Sequence, residues 1–152
     1  MMSIQMSLKK FPPTLIYSRR MVMQDFPHSL PELLRTVMEE VLALGGEPSG
    51  PPIVLYYDQE FNPQAVDLEV AWPVAEPRFS NRTIPAVQAV VGVHIGSYES
   101  MGASYEQLYA WIQEQGYRPL IPMWEIYLSD PRTTRAEELE TEIVVPVEKN
   151  ES

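Results

Sequence analysis

The chain contains no cysteine and only two histidines. The first absence excludes disulfide scaffolds, thiolate metal centres and cysteine nucleophiles. The second leaves His28 and His94 far apart with no local metal-ligand spacing, so no metal site is expected. Cations are scarce as well: 11 Lys and Arg stand against 21 Asp and Glu, a formal net charge of -10. Phosphate backbones are held by clustered cations that release counterions, so direct nucleic-acid binding is not expected. Long apolar runs are also missing. Nothing approaches the ~18 residues of a membrane span, and the start, MMSIQMSLKKFPPT, lacks the apolar core of a secretory signal. A cytoplasmic protein without membrane contact is expected. No Ser-His-Asp spacing, nucleophile elbow or phosphate-cradling glycine loop occurs, and no cofactor is implied.

What is present is a repeat. Residues 45 to 58 read GGEPSGPPIVLYYD and residues 116 to 130 read GYRPLIPMWEIYLSD. At a shift of 71, Gly45 falls on Gly116, Pro48 on Pro119, Pro51 on Pro122 and Tyr56 on Tyr127. DLEVAWPV (67 to 74) then lies over ETEIVVPV (140 to 147) at a shift of 73, superposing Glu69 on Glu142 and Pro73 on Pro146. Internal repeats define the architecture before any single element does. The copies differ at two informative places: Val54 is matched by Glu125, and Trp72 by Val145.

A chain of 152 residues is one domain by length, large enough to bury a core and hold a pocket. Its 15 prolines indicate many short elements stopped by turns. Leu30, Leu33, Leu34, Val37, Val41 and Leu44 recur at helical spacing, predicting a helix over about 30 to 44. Ser29 and Glu32 form a capping-box pattern, Pro31 fits the first turn, and Gly45-Gly46 closes the end. Tyr105, Leu108, Tyr109 and Ile112 give the stripe of a second helix that ends at Gly116, with Ser100 or Ser104 as its cap. Strands are predicted before each helix, at 15 to 24 and 87 to 95, and in pairs after each, at 53 to 58 with 66 to 74 and 123 to 129 with 140 to 147. Each copy is therefore strand, helix, strand, strand: pseudo-repeat one over about 14 to 74, a polar linker over 75 to 85, and pseudo-repeat two over about 86 to 147. The fold class that follows is α+β, a duplicated βαββ unit with two helices on a curved antiparallel sheet.

Side chains alternate between the faces of a strand. Trp124, Ile126 and Leu128 form one row, matched by Ile53, Leu55 and Tyr57; Met123, Glu125 and Tyr127 form the other, matched by Val54 and Tyr56. The uniformly apolar row is expected under the helices and the mixed row on the opposite face. Glu125 then sits in an aromatic and thioether setting. It either pairs with a ligand cation whose flat body stacks on aromatic rings, activates water as a general acid or base, or faces solvent on an open sheet. His94, beside Gly96 at a strand end, either touches a ligand or packs in a turn. Trp72 is either core or a stacking platform. Glu69 and Glu142 read as a solvated strand face or, less simply, as acidic pocket wall.

Two βαββ copies, the stretch HIGSYESMGASYEQLYAWIQEQGYRP, then PMWEIYLSDP and TEIVVPVE together resemble the GyrI-like small-molecule-binding domain, over about residues 14 to 148. That domain also forms the effector-binding half of BmrR-type and some AraC-type regulators. The resemblance implies a barrel-like antiparallel sheet with a cleft between its halves for flat, amphipathic, often cationic compounds. It implies a pocket glutamate at Glu125 and aromatic walls at Tyr127, Tyr56, Trp72 and Trp124, although alternation turns Trp124 to the other row. The expected ligand-binding set is Glu125 with these aromatics and with Met123, Val54 and His94. Stand-alone members of the family bind or sequester drugs, hydrolyse cyclopropane-containing DNA-alkylating compounds, or, as the namesake does, inhibit DNA gyrase. The implied reading is a drug-binding or drug-sensing domain. Its alternatives are a hydrolase with Glu125 as catalytic base, for which the AWPV string with Trp72 speaks, and a protein-interaction role with an unspecified partner.

Overall fold

A computed structural model describes residues 4 to 151. In chain order the elements are β1 (Met6–Phe11), β2 (Thr14–Met23), α1 (Leu30–Ala43), β3 (Ile53–Tyr56), β4 (Val66–Pro73), β5 (Arg82–Ile84), β6 (Val87–Ile95), α2 (Met101–Glu114), β7 (Tyr117–Pro119), β8 (Met123–Tyr127) and β9 (Glu140–Lys149). The fold is α+β, with antiparallel strand pairing within each of its two compact units. The chain divides into two compact units. One runs from Pro12 to Ala86; the other comprises the described residues through Phe11 together with those from Val87 onward.

In the unit from Pro12 to Ala86 the strands lie in the order β3, β4, β2, β5. Helix α1 packs on β4 and β2: the Trp72 indole N–H donates to the Leu34 carbonyl at 2.8 Å, and the Tyr17 hydroxyl donates to Glu40 at 2.8 Å. Register places Val54, Val70 and Arg19 on that same face, and Arg19 also pairs with Glu40. Val37 and Val41, on the inner stripe of α1, are fully buried. Pro31 occupies the first turn of α1 and Gly45 follows its end at a φ of +89°, a conformation that costs glycine little. The capping box does not form. Ser29 stands at the N-cap, but its hydroxyl turns back to donate to the Asp25 carboxylate, a charge-assisted bond that orients it away from the first-turn amides.

The second unit orders its strands β1, β6, β9, β8, with β7 pairing the far end of β9. Its core joins Leu108 and Ile112 of α2 to Val90, Ile143 and Val145. Fully burying each such side chain stabilises the fold by ~1.5–3 kcal/mol. Gly92 faces this core where a Cβ would lie 2.7 Å from Ile4 and 3.1 Å from Leu108, so the strand and helix approach through a missing side chain. Ser100 is the N-cap residue of α2, its hydroxyl donating to the Ser97 carbonyl at 2.7 Å.

Other features also differ from the sequence expectation, β7 among them. The segment read as a polar linker contains β5, and β1 adds a strand ahead of β2 that no periodic pattern announced. The faces of the sheet are also exchanged. The row of Val54 and Tyr56 and the row of Met123, Glu125 and Tyr127 lie on the helix-bearing faces of their units, because Val54 pairs with Val70, which shares a face with the Trp72 that bonds α1, and Glu125 pairs with Ile143, which packs with Leu108 and Ile112 of α2. Alternation fixes which side chains share a face without saying which face a helix covers. The apolar row gave no discrimination because both faces are buried: on the side away from the helices, Trp124, Val144 and Leu55 expose 4%, 0% and 0%.

Candidate functional site

The second unit holds a carboxylate surrounded by phenols. Glu125, in the middle of β8, is 8% exposed. Its Oε1 accepts from the Tyr127 hydroxyl at 2.7 Å, and its Oε2 accepts from the hydroxyl of Tyr105 on α2. Strand alternation brings Met123 and Tyr127 to the face of Glu125, and the helical spacing of four brings Tyr105 beside Tyr109, with rings stacked at 6.3 Å and 20°. Tyr98, on the short 3₁₀ turn before α2, meets the Tyr127 ring edge-on at 5.8 Å. Burial pushes the Tyr98 phenol above its ordinary pKa, and the nearby charges of Glu125 and Asp130 push it further; burial alone raises Tyr109. Both stay neutral and able to donate. The sequence marked Glu125, Tyr127 and Met123; Tyr105, Tyr98 and Tyr109 were missed.

Next along the same face, Tyr127 pairs in register with Thr141 of β9, and Thr141 with His94 of β6. His94 is buried. Its Nε2 lies 3.0 Å from the Ser97 carbonyl, which can only accept, so that nitrogen carries a proton. In the neutral ring Nδ1 then accepts from the Ser104 hydroxyl at 2.7 Å. His94 thus ties β6 to the start of α2. Thr141, by contrast, is fully buried with no partner for its hydroxyl, an arrangement that costs about 1–3 kcal/mol.

The other expected residues fall elsewhere. Trp124 lies on the face opposite Glu125. Val54, Tyr56 and Trp72 belong to the unit from Pro12 to Ala86: Val54 is fully buried, Tyr56 meets Phe26 edge-on at 6.0 Å, and the Trp72 N–H is committed to α1. That unit has a carboxylate site of its own. Glu69, read from sequence as a solvated position, exposes only 2% and accepts from Ser18 at 2.6 Å, from Tyr57 at 2.6 Å and from two nitrogens of Arg82 at 2.7 Å. Burial works to raise its pKa, but these donors outweigh it and the net shift is downward. Burial and the bond to Glu69 push Tyr57 up to about 12. Glu69 is saturated, and it acts as a structural tie. Among the described residues, no cluster of three or more acidic or histidine side chains is arranged to hold a metal ion, and no helix is long and apolar enough to cross a membrane.

Residues 5–148 match the profile of the GyrI-like small molecule binding domain. No curated protein matches the chain in sequence. Among solved structures, a cryo-EM complex of EcmrR with DNA aligns with 98% of this chain at 29% identity and a TM-score of 0.87; the chain spans 59% of that protein's length. The crystal structure of the EcmrR C-terminal domain aligns over 97% of this chain and 99% of its own, at 29% identity and a TM-score of 0.83. SAV2435 bound to tetraphenylphosphonium aligns over 97% of this chain and 94% of its own at 17% identity and a TM-score of 0.62, a likeness of fold. The profile match over nearly the whole length, on a fold shared with EcmrR, makes this chain a member of the GyrI-like family of small-molecule-binding domains.

Proposed function

We propose that the Glu125 site binds flat, amphipathic cations, and that the protein serves to sense or sequester such compounds. The observation that carries the reading is a nearly buried carboxylate whose two oxygens each accept from a tyrosine, with the rings of Tyr98 and Tyr109 alongside. A cation at that position gains the carboxylate charge and the negative faces of aromatic rings, the latter worth ~0.5–2 kcal/mol. Membership of a small-molecule-binding family supports the reading, as does the tetraphenylphosphonium bound by SAV2435, a lipophilic aromatic cation on the same fold.

The test compares (4-ethylphenyl)trimethylammonium with its neutral isostere, 4-ethyl-tert-butylbenzene, on wild type and Glu125→Gln. A quaternary ammonium makes no hydrogen bond, but two unit charges about 5 Å apart at an effective dielectric near 20 attract by about 3 kcal/mol, so the cation should weaken by roughly 100-fold and the neutral compound by less than twofold. Equal losses for both would remove the charge-pairing role. A binder also returns an electrophilic cyclopropane compound unchanged after long incubation; product at catalytic protein ratios, followed by mass spectrometry, would move Glu125 from ligand partner to general base.

A further inference from the structure

Thr141 lies in β9 with Tyr127 of β8 opposite it on one side and His94 of β6 on the other. Among the described residues its hydroxyl is the one buried side-chain polar atom without a hydrogen-bond partner. The polar groups around it are committed elsewhere: the Tyr127 hydroxyl donates to Glu125, and His94 uses Nδ1 on Ser104 and Nε2 on Ser97 and Ser100. Elsewhere β9 fills its buried positions with isoleucine, valine and proline, and valine has nearly the shape of threonine without the hydroxyl. Buried polar atoms in folded proteins are overwhelmingly paired, and each exception needs an explanation, a bound partner among them. The side chain directly across from Thr141 on the binding-site face is Tyr127, half-buried against a Tyr98 that is itself 41% exposed.

We propose that Thr141 anchors a polar subsite beside the Glu125 carboxylate, uncovered when Tyr127 turns aside, and that it takes a neutral hydroxyl or carbonyl group of the ligand. Glu125 pairs with Ile143, and Thr141 stands two residues along β9 from it, so the two anchors are diagonal neighbours across the β8–β9 pair, about 7–8 Å apart. The preferred ligand class then follows: an aromatic cation carrying a neutral hydrogen-bonding group at about that distance from its charge. This subsite rests on the binding role of Glu125.

The experiment uses two probes that differ by one group of similar size, (4-ethylphenyl)trimethylammonium and its 4-hydroxymethyl counterpart. Both are titrated into wild type, Glu125→Gln and Thr141→Val by calorimetry. In Thr141→Val the ratio of the two dissociation constants should move by about fivefold in favour of the ethyl probe, the value of one neutral hydrogen bond, with the hydroxymethyl probe carrying the loss. The same ratio in wild type and Thr141→Val overturns the subsite. If that happens while Glu125→Gln weakens both probes, the subsite fails and the Glu125 site stands; if neither probe binds wild type, both fall together. Should Thr141→Val not fold, Thr141→Ala gives the same readout, since a packing loss common to both probes cancels in the ratio.

Discussion

Changing a tyrosine to phenylalanine removes one oxygen and keeps the ring, which makes it the sharpest probe of the phenols on Glu125. Tyr105→Phe and Tyr127→Phe should each destabilise the protein by about 1.5–3 kcal/mol, the range for a hydrogen bond to a charged group, read as a lower urea midpoint at unchanged slope. The two donors serve opposite oxygens of one carboxylate, so the double variant should depart from the sum of the single ones. Midpoints within error of wild type would mean that water replaces the phenols freely. Glu125 itself was legible in the sequence because a repeat with one copy apolar and the other acidic exposes the exception, and alternation gave it Met123 and Tyr127 as neighbours. Tyr105 was not. With Leu108 and Ile112 it completes an apolar helical stripe, and nothing in that period says that a ring's hydroxyl ends on a strand residue 20 positions later.

At the scale of elements, β5 shows what periodicity cannot find. Three residues, Arg82, Thr83 and Ile84, are too few to show an alternation, and the prolines and polar residues around them read as a connection. What holds β5 against β2 includes the fork of Arg82 on Glu69, reinforced by Tyr57, whose ring also carries the Arg20 guanidinium at 3.6 Å. The burial of Glu69 was illegible for the same reason: its partners come from β2, β3's end and β5, far apart in the chain. The tie predicts two pH limits. The Glu69 pKa is depressed in the fold, so its contribution is present above the ordinary 4.5 and is lost as pH falls below it. Tyr57 is raised from 10.0 to about 12, so its contribution is present below 10 and is lost as pH climbs from 10 towards 12. Thermal melts across pH should show both shoulders, and Glu69→Gln with Tyr57→Phe should flatten them; shoulders that persist would assign them to other groups.

The whole molecule carries a formal charge of -10, which the sequence states outright and which the fold leaves on the surface, since most of its acids are exposed or paired at the rim. Such a field concentrates cations and repels polyanions over a distance set by salt. The Debye length shrinks from about 30 Å at 0.01 M to about 8 Å at 0.15 M, so the distant acids drop out while Glu125, in contact with the ligand, does not. Binding of (4-ethylphenyl)trimethylammonium should therefore weaken by a few-fold, roughly two to five, across that range, mostly through slower association, whereas 4-ethyl-tert-butylbenzene should be indifferent. Glu125→Gln separates the two contributions: it should lower cation affinity at every ionic strength while leaving the slope against salt almost intact. A slope that vanished with Glu125 would mean that one carboxylate, and not the charge of the molecule, draws the ligand in.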